Sequence, residues 1–274
     1  MTAPTVGPLV RDWRHRRRRS QMDLALDVGV STRHLSFVET GRSRPSPELI
    51  LAVADRLEVP LRERNALLVA AGYAPRYPET ALDSAAMARA RTALQRLLDT
   101  HDPYPGVVID RAWNVVLANR PALALVDGLP ASVLGPPLNV FRVCLHPDGL
   151  ARRTLNFAEW AGYLLAELRR VALLAGDPGL ARLAAEVAEY PGVAGLAGVA
   201  GVVGPGGWRD GAAPDEPSLL VPLRLAVDGC ELSLFTTLTT FGTPQDVTLS
   251  ELAVELFFPA DEATEAALRA AVAR

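Results

Sequence analysis

The 274-residue chain contains no lysine, and each of its 28 basic side chains is an arginine. Arginine suits bidentate contacts with phosphate and guanine. A GC-rich coding bias is nevertheless the simpler explanation, because arginine also stands at basic positions that have no such role. The choice of basic residue by itself therefore assigns no function.

Cysteines and long apolar runs are also scarce. Cys144 and Cys230 are the only two cysteines, and their separation matches neither a metal site nor a disulfide framework. The longest apolar stretch, around 195–203, is short and interrupted by glycine, and the first ten residues lack a charged segment before an apolar run. We therefore expect a protein of the reducing cytoplasm, without a secretion signal or a membrane partner.

Charge is unevenly distributed along the chain. The formal net charge is −3, yet residues 1–72 hold 12 arginines against 8 acidic residues. An excess of positive charge favours approach to phosphates, so this part is the candidate partner of nucleic acid. The length allows two domains with separate cores, although one domain is also compatible with it.

Residues 21–40 have the pattern of two short helices joined by a tight turn. Gly29 stands at the turn, where a left-handed backbone conformation costs glycine least. On both sides of it apolar or small residues recur at helical spacing, namely Leu24, Ala25, Val28, Leu35 and Val38. The pattern predicts two crossing helices with a common core.

Ser31 directly precedes the second of these helices and is a favourable N-cap residue. If the hydroxyl of Ser31 accepts a hydrogen bond from the first amides of this helix, the side chains of Thr32, Arg33 and His34 project outward. An exposed first turn of this kind fits the major groove of DNA. The sequence therefore predicts double-stranded DNA as a partner.

The first quarter of the chain has signals for five helices. They are predicted over 8–18, 21–28 and 32–40, from Pro47 after the cap Ser46, and from Pro60 to about 71. A helix over 84–100, with Met87, Leu94, Leu97 and Leu98 on one side, follows a segment that contains proline. We expect an all-α domain over 1–73, then a linker and connecting helix over 74–103.

The remainder, 104–274, mixes strand and helix signals and predicts an α/β domain. Two short strands are predicted over 107–110 and 113–118. They are followed by helical segments over 119–126, 154–175 and 179–190, an amphipathic segment over 252–258 and a terminal helix from Asp261. Asp228-Gly229 predicts a two-residue hairpin turn, which would pair Val227 with Cys230, Leu225 with Leu232 and Leu223 with Leu234.

Glycine recurs at every third position between 192 and 204. Without the prolines of collagen, five triplets do not predict a triple helix. No strand that feeds a helix surrounds the segment, which argues against a phosphate-binding loop. We interpret 191–207 as a mobile insertion without an assigned role.

Two resemblances follow from these motifs. The first quarter resembles the Xre family of lambda-type repressor helix-turn-helix domains, through Arg14, Ser20-Gln21, Leu24-Ala25, Gly29-Val30-Ser31, Leu35-Ser36, Glu39, Gly41, Pro45-Ser46 and the helix over 49–57. The rest resembles the ligand-binding domain of MmyB-like transcription regulators, through YPGVVIDRAWNVVLAN, LHPDGL, NFAEW, the hairpin over 219–241 and FGTPQDVTLSELAVELFFPAD. The second resemblance implies a PAS-like α/β fold with an apolar pocket, and fatty-acid occupancy is associated with that family.

The first resemblance implies contacts with DNA, position by position. Gln21 would hold a phosphate, and Thr32, Arg33, Ser36 and Phe37 would face the bases, presented by the capped turn at Ser31. The guanidinium of Arg33 can donate two hydrogen bonds to guanine, whereas Phe37 would contact a thymine methyl group or nothing. Two-fold operators are typical of such domains, so we expect a homodimer.

Other charged residues have positioning or structural roles, and for two groups of them an alternative remains. Arg42 and Arg44 are placed for backbone phosphates. The family pattern pairs Arg14 with Glu39 as a fold-orienting ion pair, and the alternative is two solvated charges worth at most about 1 kcal/mol. The run 16–19 is either a phosphate clamp or an exposed helix end.

A ligand pocket needs large apolar side chains and few polar anchors. Arg142 and His146 are candidates to anchor a carboxylate at its mouth, although a structural role for His146 is the leading alternative. For most of the apolar and aromatic candidates an ordinary core position is the leading alternative. These candidates are Trp113, Phe141, Trp160, Tyr163, Leu164, Leu225, Leu234, Phe235, Phe241 and Phe257.

Catalysis is not indicated, because no metal-ligand spacing and no nucleophile motif occurs. The sequence predicts a transcription regulator with no catalytic residues, no metal and no cofactor other than a bound fatty acid or similar small apolar ligand. The alternative is a DNA-binding protein whose second domain has a solid core and serves dimerisation or protein docking. A third reading, an enzyme under its own DNA-binding domain, lacks a catalytic constellation.

Overall fold

The computed structural model describes residues 5–196 and 220–272, which divide into two units. Of these residues, the first unit takes 5–81 and 242–250, and the second takes 82–196, 220–241 and 251–272. The division after residue 81 falls inside the predicted linker and connecting helix. Within the described residues, no helix combines the length and apolarity that crossing a membrane requires.

Five helices follow one another in the first unit. They are α1 (Val6–Arg16), α2 (Gln21–Asp27), α3 (Thr32–Glu39), α4 (Pro47–Arg56) and α5 (Leu61–Ala70). Ser20, Ser31 and Ser46 each accept a hydrogen bond from the backbone N–H three residues on, so the hydroxyls satisfy amides that α2, α3 and α4 leave unpaired. The prediction of an all-α N-terminal domain is confirmed.

Close approach of α1 and α3 depends on a glycine. A Cβ atom at Gly7 would lie 2.6 Å from the carbonyl oxygens of both Val38 and Glu39. Trp13, Leu24 and Leu35 are among the residues of the core that the five helices enclose. The small residue therefore fixes how deeply α1 packs against the helix that follows the tight turn.

The second unit is built from one sheet and several helices. Its elements are α6 (Ala88–Thr100), β1 (Gly106–Ile109), β2 (Val115–Ala118), α7 (Arg120–Leu125), α8 (Ala131–Leu134), α9 (Val140–Leu145), α10 (Phe157–Ala175), α11 (Pro178–Ala188), β3 (Leu223–Val227), β4 (Cys230–Thr240), β5 (Ala253–Pro259) and α13 (Glu262–Val272). The helix α12 (Val247–Glu251) lies between β4 and β5 in sequence. The predicted α/β class of this part is confirmed.

The sheet has the strand order β2-β1-β5-β4-β3, and every neighbouring pair is antiparallel. The predicted hairpin register is confirmed at all three pairs, Val227–Cys230, Leu225–Leu232 and Leu223–Leu234. Asp228 and Gly229 have φ angles of 49° and 79°, as a type I′ turn requires. In contrast, the segment over 252–258, predicted only as amphipathic, forms the central strand β5.

Some local predictions are wrong or incomplete. Leu97, predicted to share one side of α6 with Leu94 and Leu98, is 40% exposed, whereas those two residues are buried. The short helix α9 was not predicted, because its six residues are too few to establish a periodic pattern. Residues 191–196 of the glycine-rich segment form turns, and 197–207 lie outside the described residues.

The connection between β4 and β5 belongs to the first unit. Within that unit, the backbone N–H of Val247 donates to the carbonyl oxygen of Pro78 at 2.8 Å, and the Asp246 carboxylate accepts from the N–H of Thr80 at 3.1 Å. Asn65 of α5 also hydrogen-bonds the backbone at 76 and 77. The segment after α5 is therefore tied both to α5 and to the β4–β5 connection.

Candidate nucleic-acid interface and ligand cavity

The two faces of α3 differ sharply in exposure. Leu35 and Val38 are 0% and 2% exposed, whereas Thr32 and Arg33 are exposed at the first turn. Ser31 Oγ accepts from the N–H of His34 at 3.1 Å, which fixes where the helix begins. A capped helix thus presents its first turn to solvent.

Two guanidinium groups lie near the ring of Phe37 on the outer side of α3. The Cζ atom of Arg33 is 5.3 Å from the centre of the Phe37 ring, and that of Arg42 is 5.9 Å from it. Both distances are within the range of cation–π attraction. The predicted base-facing side chains Arg33 and Phe37 are therefore brought together, with Ser36 half-buried on the same helix.

Arg14 and Glu39 form an ion pair inside the first unit. Their exposed fractions are 7% and 3%, and Nε and Nη2 of Arg14 donate to Oε1 and Oε2 of Glu39 at 2.7 and 2.9 Å. Burial raises the pKa of Glu39, but hydrogen bonds from Arg14 and Gln21 outweigh it and hold that pKa below its ordinary value. The pair joins α1 to α3 and so orients the exposed helix.

Two residues predicted to contact phosphates are engaged within the protein. The side-chain amide of Gln21 donates to Oε2 of Glu39 at 2.6 Å. Arg44 donates to the carbonyl oxygens of Ala71 and Gly72 at 2.9 and 3.3 Å, and its Cζ lies 4.6 Å from the centre of the Tyr73 ring. Because carbonyl groups at the end of a helix attract a cation, Arg44 closes the end of α5.

The run 16–19 is divided between several partners. Arg17 donates to the carbonyl oxygens of Leu57 and Glu58, and its guanidinium lies over the Trp13 ring, as does that of Arg16. Arg19 pairs with Asp27. These contacts favour a structural role for Arg17 and Arg19 over a phosphate clamp.

The second unit contains a cavity of about 80 Å³ between one face of the sheet and the helices α7 and α9. Leu123 of α7, which is 52% exposed, is part of its wall. The wall is otherwise almost entirely apolar, and its residues are Pro105, Val107, Val115, Ala118, Ala122, Leu123, Leu125, Val126, Leu138, Val140, Val143, Cys144, Leu150, Leu223, Glu255 and Phe257.

Most predicted ligand residues lie elsewhere in the core. Of the twelve, Phe257 lines the cavity. The rings of Trp113 and Phe141 pack together at 4.8 Å, and those of Trp160 and Tyr163 stack at 5.7 Å. The remaining apolar candidates are in other places: Leu164, Leu225 and Leu234 are buried in the main core, Phe235 stacks on Phe258, and Phe241 follows β4.

The two predicted carboxylate anchors already have partners. Nε and Nη2 of Arg142 each lie 2.7 Å from an oxygen of Glu186, and this hydrogen-bonded pairing raises the pKa of Arg142 and lowers that of Glu186. His146 Nδ1 accepts from the N–H of Asp148 at 3.0 Å, and its ring meets that of Tyr190 edge-on at 5.1 Å. Neither residue lines the cavity.

Glu255 is the charged residue that the sequence-based prediction missed. It lies in β5, is 9% exposed, and lines the cavity. The signal was present, since an acidic residue interrupts the apolar stretch AVELFFP two positions before Phe257 and therefore shares its side of the strand. Burial raises the pKa of this carboxyl to about 7.

A metal centre is not evident in the parts of the chain that the structure describes. Among residues 5–196 and 220–272, no three His, Cys, Asp or Glu side chains are grouped so as to hold an ion. Cys144 lines the cavity, and burial and the nearby Glu255 charge raise the pKa of its thiol to about 12. The thiol is therefore neutral at physiological pH.

Comparison with family models gives two matches. Residues 6–67 match a helix-turn-helix domain, and residues 90–271 match the MmyB-like transcription regulator ligand binding domain. The second match covers about two thirds of the chain, and both confirm the resemblances seen in the sequence. No curated protein matches the chain. The two domains together identify a DNA-binding transcription regulator with a ligand-binding domain.

Proposed function

We propose that α3 recognises an operator sequence and that the cavity of the second unit binds a small, largely apolar effector. The proposal starts from the family: the chain belongs to that of the MmyB-like transcription regulator ligand binding domain. The exposed, capped first turn of α3 carries the first part of this proposal. Thr32, Arg33, Ser36 and Phe37 contact the base edges.

Backbone contacts position the helix on the duplex. Arg42, which is exposed just beyond α3, binds a phosphate and fixes the register without specifying a base. Gln21 binds a phosphate with the amide N–H that it does not donate to Glu39, and the N-terminal amides of α2 lie at the same helix end. Arg44 acts through the fold of the first unit rather than through DNA.

The regulator acts as a homodimer on a two-fold operator. One eight-residue helix contacts too few base pairs to select a single site, and two-fold symmetry uses the same helix twice. Half-sites one helical turn apart are the expected arrangement.

The second unit is the effector domain and is PAS-like. The antiparallel strand order β2-β1-β5-β4-β3, with helices against one face, supports this assignment. The apolar wall suits a hydrocarbon chain such as that of a fatty acid. Its volume of about 80 Å³ favours a small group or the end of a longer chain, and the exposed Leu123 in the wall lies where the cavity opens to solvent.

Effector binding alters DNA binding only if the effector prefers one arrangement of the DNA-binding helices. Effector binding at β5 can act on the DNA-binding helices through the segment that precedes β5 in the chain, 242–250. That segment hydrogen-bonds Pro78 and Thr80 through Val247 and Asp246.

The DNA-binding part is tested with the intergenic DNA adjacent to the gene. Arg33→Ala should lose about 1–3 kcal/mol of binding free energy and relax the preference for one base pair. Arg89→Ala removes an exposed arginine of the second unit and is the charge-matched control. Equal binding by both variants, without sequence preference, would refute the assignment of α3.

The effector part is tested by mass spectrometry of organic extracts from the purified protein. A small apolar compound recovered in stoichiometric amount supports the proposal, and the compound should also raise the unfolding temperature. A clean extract, together with no thermal shift by fatty acids or other apolar compounds, would favour the docking-module alternative.

A further inference from the structure

Glu255 places a carboxyl group in the wall of an otherwise apolar cavity. It lies in β5 between the pairing strands β1 and β4, opposite Val107 on one side and Leu238 on the other. Its side chain is directed to the same face as Val107 and Phe257, which also line the cavity. The group is therefore part of the cavity by its position in the sheet.

One oxygen of this carboxyl group has no hydrogen-bond partner in the described structure. The Thr236 hydroxyl of β4 favours the ionised form of the carboxyl group, but Oε2 is buried and has no hydrogen-bond partner. Burying an acceptor without a donor is unfavourable, and more so for a charged group. A ligand that donates a hydrogen bond to such an oxygen therefore gains more binding free energy than it would at a solvated surface.

The surrounding side chains do not supply that donor. Among the sixteen described residues that line the cavity, Glu255 and Cys144 are the two with polar side-chain atoms, and none is basic. The thiol of Cys144 stays protonated and is a weak donor. Tyr163 of α10 also senses the charge of Glu255, although burial is the main reason why its pKa is raised.

An incoming carboxylate would meet an unfavourable site. Within the part of the chain that the structure describes, the wall has no cation to neutralise it, and Glu255 would oppose it with charge of the same sign whenever it is ionised. Arg142, the sequence-predicted anchor for an acid, is bound to Glu186 outside this wall. An amine or hydroxyl group instead satisfies Oε2 directly.

We propose that the cavity selects a small, mostly apolar molecule that donates an N–H or O–H hydrogen bond to Oε2 of Glu255, with an amine preferred and a fatty-acid anion disfavoured. This inference rests on the proposed function, namely that the cavity is the effector site. It adds the chemical class of the head group. Glu255 is then a specificity-determining residue.

The test compares three probes that share one chain and differ in the head group: hexan-1-amine, hexan-1-ol and hexanoate. Their binding to the full chain is measured by isothermal titration calorimetry at pH 7.5. We expect the amine to bind roughly tenfold or more tightly than hexanoate, as a charge-assisted hydrogen bond implies. The alcohol should fall between them.

Glu255→Gln is nearly isosteric, so it removes the charge while it preserves the volume. In this variant the amine should lose roughly tenfold in affinity, and hexanoate should gain because the new amide group donates a hydrogen bond. Glu189→Gln, at an exposed position after α11, is the matched control and should leave the ranking unchanged. Thermal unfolding of each variant verifies that it is folded.

A cavity-filling variant separates this inference from the proposed function. Ala122→Leu reduces the space at α7 and should weaken all three probes. If it does so but the wild-type chain does not favour the amine over hexanoate, or Glu255→Gln leaves the ranking unchanged, the inference is wrong and the effector site stands. If no probe binds, or filling the cavity has no effect on binding, both are wrong.

Discussion

Arg14 Nε and Glu39 Oε1 lie 2.7 Å apart, in a pair that is almost completely buried between α1 and α3. The same carboxylate also accepts from Gln21 of α2. Three helices therefore converge on one charged group, and the helix that we assign to DNA recognition is held at that point. Because both charges are desolvated, removal of either partner leaves a buried charge unpaired.

We expect Arg14→Met to lower the free energy of unfolding by about 3–5 kcal/mol, since it leaves the Glu39 charge buried. The double variant Arg14→Met, Glu39→Met should recover much of this loss. Denaturant titration of the single and double variants measures both values. A single variant within about 1 kcal/mol of wild type would show that the pair behaves as two solvated charges.

The pair also predicts an acid limb in the stability profile. Because the pKa of Glu39 is lowered in the folded chain, its stabilisation is present above the pKa of the unfolded carboxyl and is lost as the pH falls through the folded value. In Glu39→Gln this part of the decline below about pH 4.5 should disappear. Chemical unfolding between pH 2 and pH 6 provides the measurement, and an unchanged slope would contradict it.

Gly7→Ala tests the close approach of α1 to α3. Alanine usually stabilises a helix by about 0.5–1 kcal/mol relative to glycine, but here the methyl group would meet two carbonyl oxygens at 2.6 Å. We expect a net destabilisation of about 1–3 kcal/mol by overpacking. Gly195→Ala, where a Cβ would meet nothing within 4 Å, is the control for thermal unfolding. A stabilised Gly7→Ala variant would be incompatible with this packing.

Arg42→Ala and Arg44→Ala should affect DNA binding in different ways. Arg42→Ala removes a proposed phosphate contact, so the slope of log binding constant against log salt should fall by about 1. Arg44→Ala should leave that slope unchanged and lower stability, because its bonds to Ala71 and Gly72 are lost. The opposite pattern in filter binding and unfolding experiments would show that Arg44 contacts a phosphate, as the sequence predicts.

Glu255 should make stability fall as the pH rises from about 4.5 to about 7. Its pKa is raised to about 7 by burial, so over this range the folded chain keeps a proton that the unfolded chain has released. The loss is on the order of 3 kcal/mol. Glu255→Gln should flatten the profile, whereas Glu189→Gln should not. A wild-type profile without this decline would place Glu255 in a solvated environment.

Local rules in the sequence were sufficient for the helices of the first unit and for one hairpin. Caps such as Ser31 and Ser46 act within four residues, and the apolar period places Leu35 and Val38 on one face. The turn pair Asp228-Gly229 sets the register of β3 and β4 by itself. These features depend on neighbours in the chain, so they are visible before any fold is known.

The sequence by itself determined the helix-turn-helix, its caps and the hairpin, because each depends on backbone geometry over a few residues. Only the tertiary structure decided that Arg44 closes α5, that Gln21 binds Glu39, and that Phe257 rather than Trp160 faces the cavity. The walls of a cavity come from elements far apart in the chain, such as α7, α9 and β5. Apolar residues of core and cavity have the same pattern, so packing alone separates them.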